Sequence, residues 1–309
     1  MTFCIFDAHA DTVSKLMENG GSLLSNKGHL DLMRIKNLKC PYVQVFAAFT
    51  ESKSDAFSEV LAIINKYYEF VSSNDDLIHC TSYEDIEKGI SHKKISSLLS
   101  IEGGDALCGS IERLKEFYRL GVRIMNLTWN YKNEIAAGIM EENDFGLTAF
   151  GKDVVLEMNK LGMIVDVSHL SEKGFWDVAE ISEKPFIASH SNAKKICSHK
   201  RNLSDEQIKE IINKKGVIGI NFYSDFLSDE KECSISDIIR HAEHILSLGG
   251  ENSLGFGSDF DGMEKLPREI LGVENYYDII NEFLKLGYSE DLVKKISSDN
   301  FLRIVKEIL

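Results

Sequence analysis

Eight short apolar runs, each followed by a segment long enough for a helix, limit what this chain can fold into more than any other feature. They are residues 3–6, 43–49, 95–101, 122–128, 163–167, 186–189, 217–220 and 254–257. The intervening segments carry apolar residues at helical spacing, such as Val60, Ile63, Ile64, Tyr67, Tyr68 and Val71, or Val154, Val155, Met158 and Leu161. Gly121 and Gly162 stand where helices stop, and Ser204-Asp205-Glu206-Gln207 has the form of a capping box. Strand and helix alternating eight times predict a parallel (β/α)8 barrel, and 309 residues suit a single domain, 1–309, with helices near 275–286 and 289–307 added at the C-terminus. The competing fold, a doubly wound sheet, usually has a glycine-rich phosphate loop after its first strand. Here that place holds His9-Ala10-Asp11.

The residues that close the apolar runs point to chemistry. His9 and Asp11 follow the first run, Glu102 the third, His169 the fifth, His190 the sixth and Asp259 the eighth. In a (β/α)8 barrel the C-terminal ends of the strands form the active-site face. Residues i and i+2 of a strand share a face, so His9 and Asp11 can converge on one cation. Neutral imidazoles with carboxylates suit zinc or another first-row metal. The set exceeds the needs of one four-coordinate ion, whereas two ions sharing a bridging carboxylate use all of it, and Glu102 is the natural bridge. Asp261 has the same facing as Asp259, and spacing does not separate them.

The remaining histidines lack such partners. His241 and His244, three apart on a helix, read as surface or interface residues; His29 reads as a helix start, and His79, His92 and His199 as solvent-exposed.

A net charge of −14 argues against nucleic acid and anionic membrane surfaces as partners. No stretch approaches the roughly 18 uninterrupted apolar residues of a membrane span. The N-terminus shows no basic region followed by an apolar core, and the six cysteines form no C-x-x-C pair. Reduced, mostly buried thiols and a cytoplasmic location are the expectation.

Several motifs, in order along essentially the whole chain, resemble the membrane (renal) dipeptidase family of zinc peptidases. They are Asp7-Ala8-His9-Ala10-Asp11, Ile101-Glu102-Gly103-Gly104, Val165-Asp166-Val167-Ser168-His169, Ala188-Ser189-His190-Ser191-Asn192-Ala193, Arg201-Asn202, Asn221-Phe222-Tyr223 and Gly257-Ser258-Asp259-Phe260-Asp261-Gly262. The resemblance implies a metal-dependent barrel that hydrolyses small dipeptides, including ones with a D-residue on the C-terminal side, by a hydroxide bridging two zinc ions. His9 and Asp11 would hold one zinc, His169 and His190 the other, with Glu102 between them. Asp259 would transfer the proton, Arg201 would take the substrate carboxylate, and Tyr223 would line the substrate site. A homodimer is implied in the same way. One departure stands out. Many members have a histidine after the Leu-Thr of the fourth strand, placed to contact the substrate carbonyl; this chain has Leu127-Thr128-Trp129-Asn130. Trp129 cannot accept a hydrogen bond, although its indole N–H or the Asn130 amide can donate one.

Two other classes compete. One is a different metal-barrel enzyme: a lactonase, a deaminase, a sugar isomerase or another amidohydrolase. The other is a non-catalytic binding barrel, which predicts a missing ligand; none is missing from this set.

Overall fold

The apolar runs become parallel strands: β1 (Ile5–Ala10), β2 (Tyr42–Phe49), β3 (Leu77–His79), β4 (Ile95–Glu102), β5 (Val122–Asn126), β6 (Ile164–Asp166), β7 (Ile187–Ala188), β8 (Val217–Ile220) and β9 (Leu254–Phe256). The computed structural model describes residues 3–51, 54–230 and 232–309. β1 pairs with β2, β2 with β4, and each later strand with the next until β9 returns to β1, which closes an eight-stranded barrel. The ninth strand, β3, was not foreseen from the sequence. It pairs with residues 95–97 of β4, below the point where β5 joins the same edge, so it extends the barrel wall without entering the ring. Helices cover the outside, as a parallel sheet buried on both faces requires.

The barrel interior below the active-site face is apolar. Phe6, Val43, Val45, Leu98, Ile124, Ile164, Ile187 and Val217 meet there with Phe301, Ile304 and Val305 of the last helix, Asn300–Ile308. Phe301 stacks on Phe6 with ring centroids 5.1 Å apart. A Cβ on Gly255 would lie 2.5 Å from the Phe301 ring, so the glycine makes room for this plug. The helix expected over residues 289–307 is interrupted by a π-helical turn, Lys295–Asp299, and Asn300 donates to the backbone of Glu251 and Leu254, anchoring the plug beneath β9.

Candidate metal centre

β1 aims its histidine with a bulge. Phe6 pairs with Val43 and Asp7 with Gln44, but Ala10 pairs with Phe46, so one extra residue is inserted between Asp7 and Ala10. Below the bulge Phe6 and Ala8 face the interior; above it Ala10 packs outward and His9 turns into the barrel mouth. Buried Asp7 holds this irregular segment to the last strand. It accepts from the Ser258 N–H at 2.8 Å and the Ser258 hydroxyl at 2.6 Å. Asp166 does the same across the barrel, accepting from the backbone N–H groups of Ser168 and Ser189. His169, Asp259 and Asp261 all adopt positive φ, a conformation uncommon outside glycine, although Asp and His adopt it more readily than most, and one that clusters at active sites.

Six side chains named from the sequence come together in the mouth. His9, Asp11 and Glu102 form one group able to hold a metal, Glu102, His169 and His190 a second, and His9, His190 and Asp259 a third. Glu102 divides its oxygens. Oε2 lies 3.5 Å from His9 Nε2, while Oε1 lies 3.1 Å from His169 Nε2 and 3.5 Å from His190 Nε2. Asp11 Oδ2 is 3.5 Å from His9 Nε2. The outward nitrogens of the other two histidines are engaged: His169 Nδ1 lies 2.9 Å from Asn130 Oδ1, and His190 Nδ1 lies 2.8 Å from Ser189 Oγ. This leaves both Nε2 atoms toward Glu102, the orientation by which metal-binding histidines are usually held.

The electrostatics of the site fit a cation. Three carboxylates are crowded together in a region shielded from water. Burial, reinforced by the Glu102 charge, pushes Asp11 up to about 6. Burial, with Asp11 and Glu102 adding to it against the pull of His9, pushes Asp259 up to about 8. His9 is driven the other way from an ordinary buried histidine: burial disfavours its charge, yet Glu102 and Asp11 raise its pKa well above the usual value. His169, buried and near Arg201, falls to about 4, and burial holds His190 well below the usual histidine range. Both ring nitrogens of His9 and Asp11 Oδ1 are buried without a hydrogen-bond partner. Buried polar atoms are rarely left so. Imidazole and carboxylate donors, surplus negative charge and orphaned ring nitrogens together suit a divalent metal.

The two aspartates after β9 separate clearly. Asp259 accepts from Asn221 Nδ2 at 2.9 Å and stays in the donor group. Asp261 is committed elsewhere, accepting from the Thr12 hydroxyl at 2.5 Å and the His29 N–H at 2.7 Å.

A cavity of about 500 Å³ opens over the cluster, lined in part by Glu102, Trp129, Asn130, Arg201, Tyr223 and Asp259. Its size is right for a small ligand. Arg201 is buried, with Nη2 donating to the His190 carbonyl at 3.1 Å, its Nε without a partner, and its guanidinium 5.5 Å from the centre of the Phe226 ring. Trp129 packs on Phe49 at 5.1 Å and faces His169 at 6.3 Å. Tyr223 donates to Asp225.

The membrane dipeptidase family (Peptidase family M19) matches over residues 1–309. The chain belongs to the membrane dipeptidase family. It is thus a member of a metallopeptidase family, and its fold agrees with solved relatives. A metallo peptidase from Rhodobacter sphaeroides, solved with a phosphinate mimic of the dipeptide L-Ala-D-Ala, superimposes with a TM-score of 0.93 at 26% identity, covering 100% of both chains. Dipeptidase AC, a metallo peptidase of family M19, also gives 0.93, at 27% identity over 100% of this chain and 99% of that one. An uncharacterized protein in the pqqA 5' region of Klebsiella pneumoniae is 35% identical over 239 residues, 74% of this chain and 88% of that protein.

Within this family frame, several histidines depart from their sequence reading. His241 is fully buried rather than at a surface or interface. His79 is half-buried between the Tyr67 and Tyr68 hydroxyls, and burial lowers it to about 4. His199 lines the cavity and lies 4.5 Å from the Phe226 ring instead of standing free in solvent. His29 precedes the helix Leu32–Asn37, whose cap is Asp31. Asn130 has a role the sequence did not suggest, since its side-chain oxygen is occupied by His169. All six cysteines are free. No helix among the described residues is long and apolar enough to cross a membrane.

Proposed function

We propose that this chain is a zinc-dependent dipeptidase that cleaves small dipeptides, L,D-dipeptides among them, with two zinc ions per chain. The observation that carries the reading is the divided Glu102 carboxylate, with His9 and Asp11 on the side of one oxygen and His169 and His190 on the side of the other. Two zinc ions bound there would supply a water acidified toward hydroxide near neutral pH and an electrophile for the peptide carbonyl. Asp259, held by Asn221, takes a proton on its carboxylate and returns it to the leaving amine. Arg201 receives the substrate's terminal carboxylate; its partner-free Nε and its place in the cavity wall support that role. The Trp129 indole N–H or the Asn130 amide N–H takes the place of the family's usual histidine beside the substrate carbonyl.

The dipeptide mimic seen in the Rhodobacter sphaeroides relative supports the substrate class and the D-residue at the second position. We propose a cytoplasmic enzyme, in keeping with its free thiols, and a homodimer, which only the sequence resemblance implies. A panel of L,L- and L,D-dipeptides, with lactones and nucleosides as controls, tests the reading. Turnover of dipeptides alone is expected. Turnover of lactones or nucleosides in preference would refute it.

A further inference from the structure

Among the described residues the Arg201 guanidinium makes a single hydrogen bond, from Nη2 to the His190 carbonyl, so something else must fix where it stands. It sits on a closed loop after β7, in which Ala193 bridges to Leu203 and the Leu203 N–H donates to the Asn192 carbonyl. Facing it is the segment after β8 that carries Tyr223 and Phe226 and ends in the short helix Ser224–Leu227. Asn192 and Asn202 sew the two together. Asn192 Nδ2 donates to the Asn221 carbonyl, and Asn202 Nδ2 to the carbonyls of Cys197 and Phe226.

His241 completes this seam from behind. It lies on the helix Ile235–Ser247, fully buried and outside the cavity lining. Its Nδ1 lies 3.0 Å from the Ala193 backbone nitrogen, and its Nε2 lies 2.9 Å from the Leu227 carbonyl oxygen. The partners leave no choice of tautomer. A backbone N–H only donates, so Nδ1 accepts; a carbonyl only accepts, so Nε2 carries the hydrogen. One neutral imidazole thus spans the Arg201 loop and the Phe226 segment. A substitution that keeps only one nitrogen's role frees one side of the seam.

We infer that His241 is a positioning residue for substrate binding: by joining Ala193 to Leu227 it sets the spacing of the two loops and so the placement of Arg201 for the substrate carboxylate. This rests on the reading of Arg201 as the carboxylate-binding residue. The effect falls on KM for substrates with a free carboxylate; the His190 ring is held by Ser189 Oγ and its backbone N–H by Ser168 Oγ, contacts that His241 does not touch.

The test compares wild type, His241→Leu, Arg201→Ala and the double variant on one dipeptide and its C-terminal amide, with zinc content measured on each preparation. His241→Leu is expected to raise KM for the free-carboxylate dipeptide about tenfold, with kcat within about twofold, KM for the amide unchanged and zinc content unchanged. The double variant should be no worse than Arg201→Ala alone, because His241 acts through Arg201. If Arg201→Ala discriminates carboxylate from amide and His241→Leu does not, or if their effects simply add, the inference about His241 is overturned while the Arg201 reading stands. If Arg201→Ala does not discriminate, both fall. Should His241→Leu fail to fold, His241→Gln, which keeps a donor for Leu227, and His241→Asn, which keeps an acceptor for Ala193, carry the same comparison.

Discussion

Replacing Glu102 by Gln removes one charge and one of the two oxygens around which the site is divided. Oε1 is 3.1 Å from His169 Nε2, and Oε2 is 3.5 Å from His9 Nε2. In Gln one of these positions becomes an NH2 that offers hydrogens where a cation should sit, and the other becomes a neutral carbonyl oxygen. Both sides are therefore weakened whichever way the amide turns. Two unit charges about 4 Å apart interact by about 4 kcal/mol at an effective dielectric near 20. Discounting by half for relaxation leaves about 2 kcal/mol for each ion, a lower bound for a divalent cation. At about 1.4 kcal/mol per tenfold, each dissociation constant should rise at least about thirtyfold. The assay is competition for zinc against a chromophoric chelator, with circular dichroism to confirm that the variant is folded. Two weakened binding steps are expected. A variant that keeps one ion at wild-type affinity and loses the other would show that Glu102 serves one ion only, and the bridging assignment would fail.

Asp259→Asn should keep both metals yet lower kcat about 10²–10⁴-fold, the usual range for a lost proton-transfer group; unchanged kcat in a metal-loaded variant would remove Asp259 from the chemistry. Gly257→Ala should abolish folding or leave it severely impaired, because a Cβ there would lie 1.7 Å from the Ser189 carbonyl oxygen, a backbone atom that cannot step aside; a thermal midpoint within a few degrees of wild type would contradict this packing. Burial holds His241 at about 4 in the fold, below an unfolded value near 6.5, so the unfolded chain binds more protons between those values. The stabilisation is present above about pH 6.5 and is lost as pH falls toward 4, by about 2 kcal/mol between pH 7 and 5. Urea unfolding at both pH values, wild type against His241→Asn, should show a shallower pH dependence in the variant, and identical slopes would refute the assignment.

The strand ends were legible because the chemistry is written in residue types there: His9, Glu102, His169, His190 and Asp259 each follow an apolar run, and the fold gathers all five. What could not be read is how His9 comes to face inward. Plain alternation from Phe6 would send Ala8 and Ala10 into the barrel and His9 out; the bulge between Asp7 and Ala10 reverses this, and a bulge leaves no residue-type signature in such a run. β3 escaped notice because three residues, one of them His79, carry no period. His241 is a different kind of miss. It stands three residues after Ile238 and four before Ile245, on the buried stripe of its helix, so helical spacing alone was enough to place it inside. Asp259 and Asp261, equal by spacing, were separated in the sequence only by the family motif, which favours Asp259; in the fold their partners differ, Asn221 for one and Thr12 with His29 for the other.

Two zinc ions sharing Glu102 are tested most directly by the activity of metal-stripped protein titrated with zinc, followed by elemental analysis of the active product. Dipeptide hydrolysis should be absent without metal and rise to a plateau at two equivalents per chain. Full activity in the stripped protein, or a plateau at one equivalent with one ion bound, would contradict it.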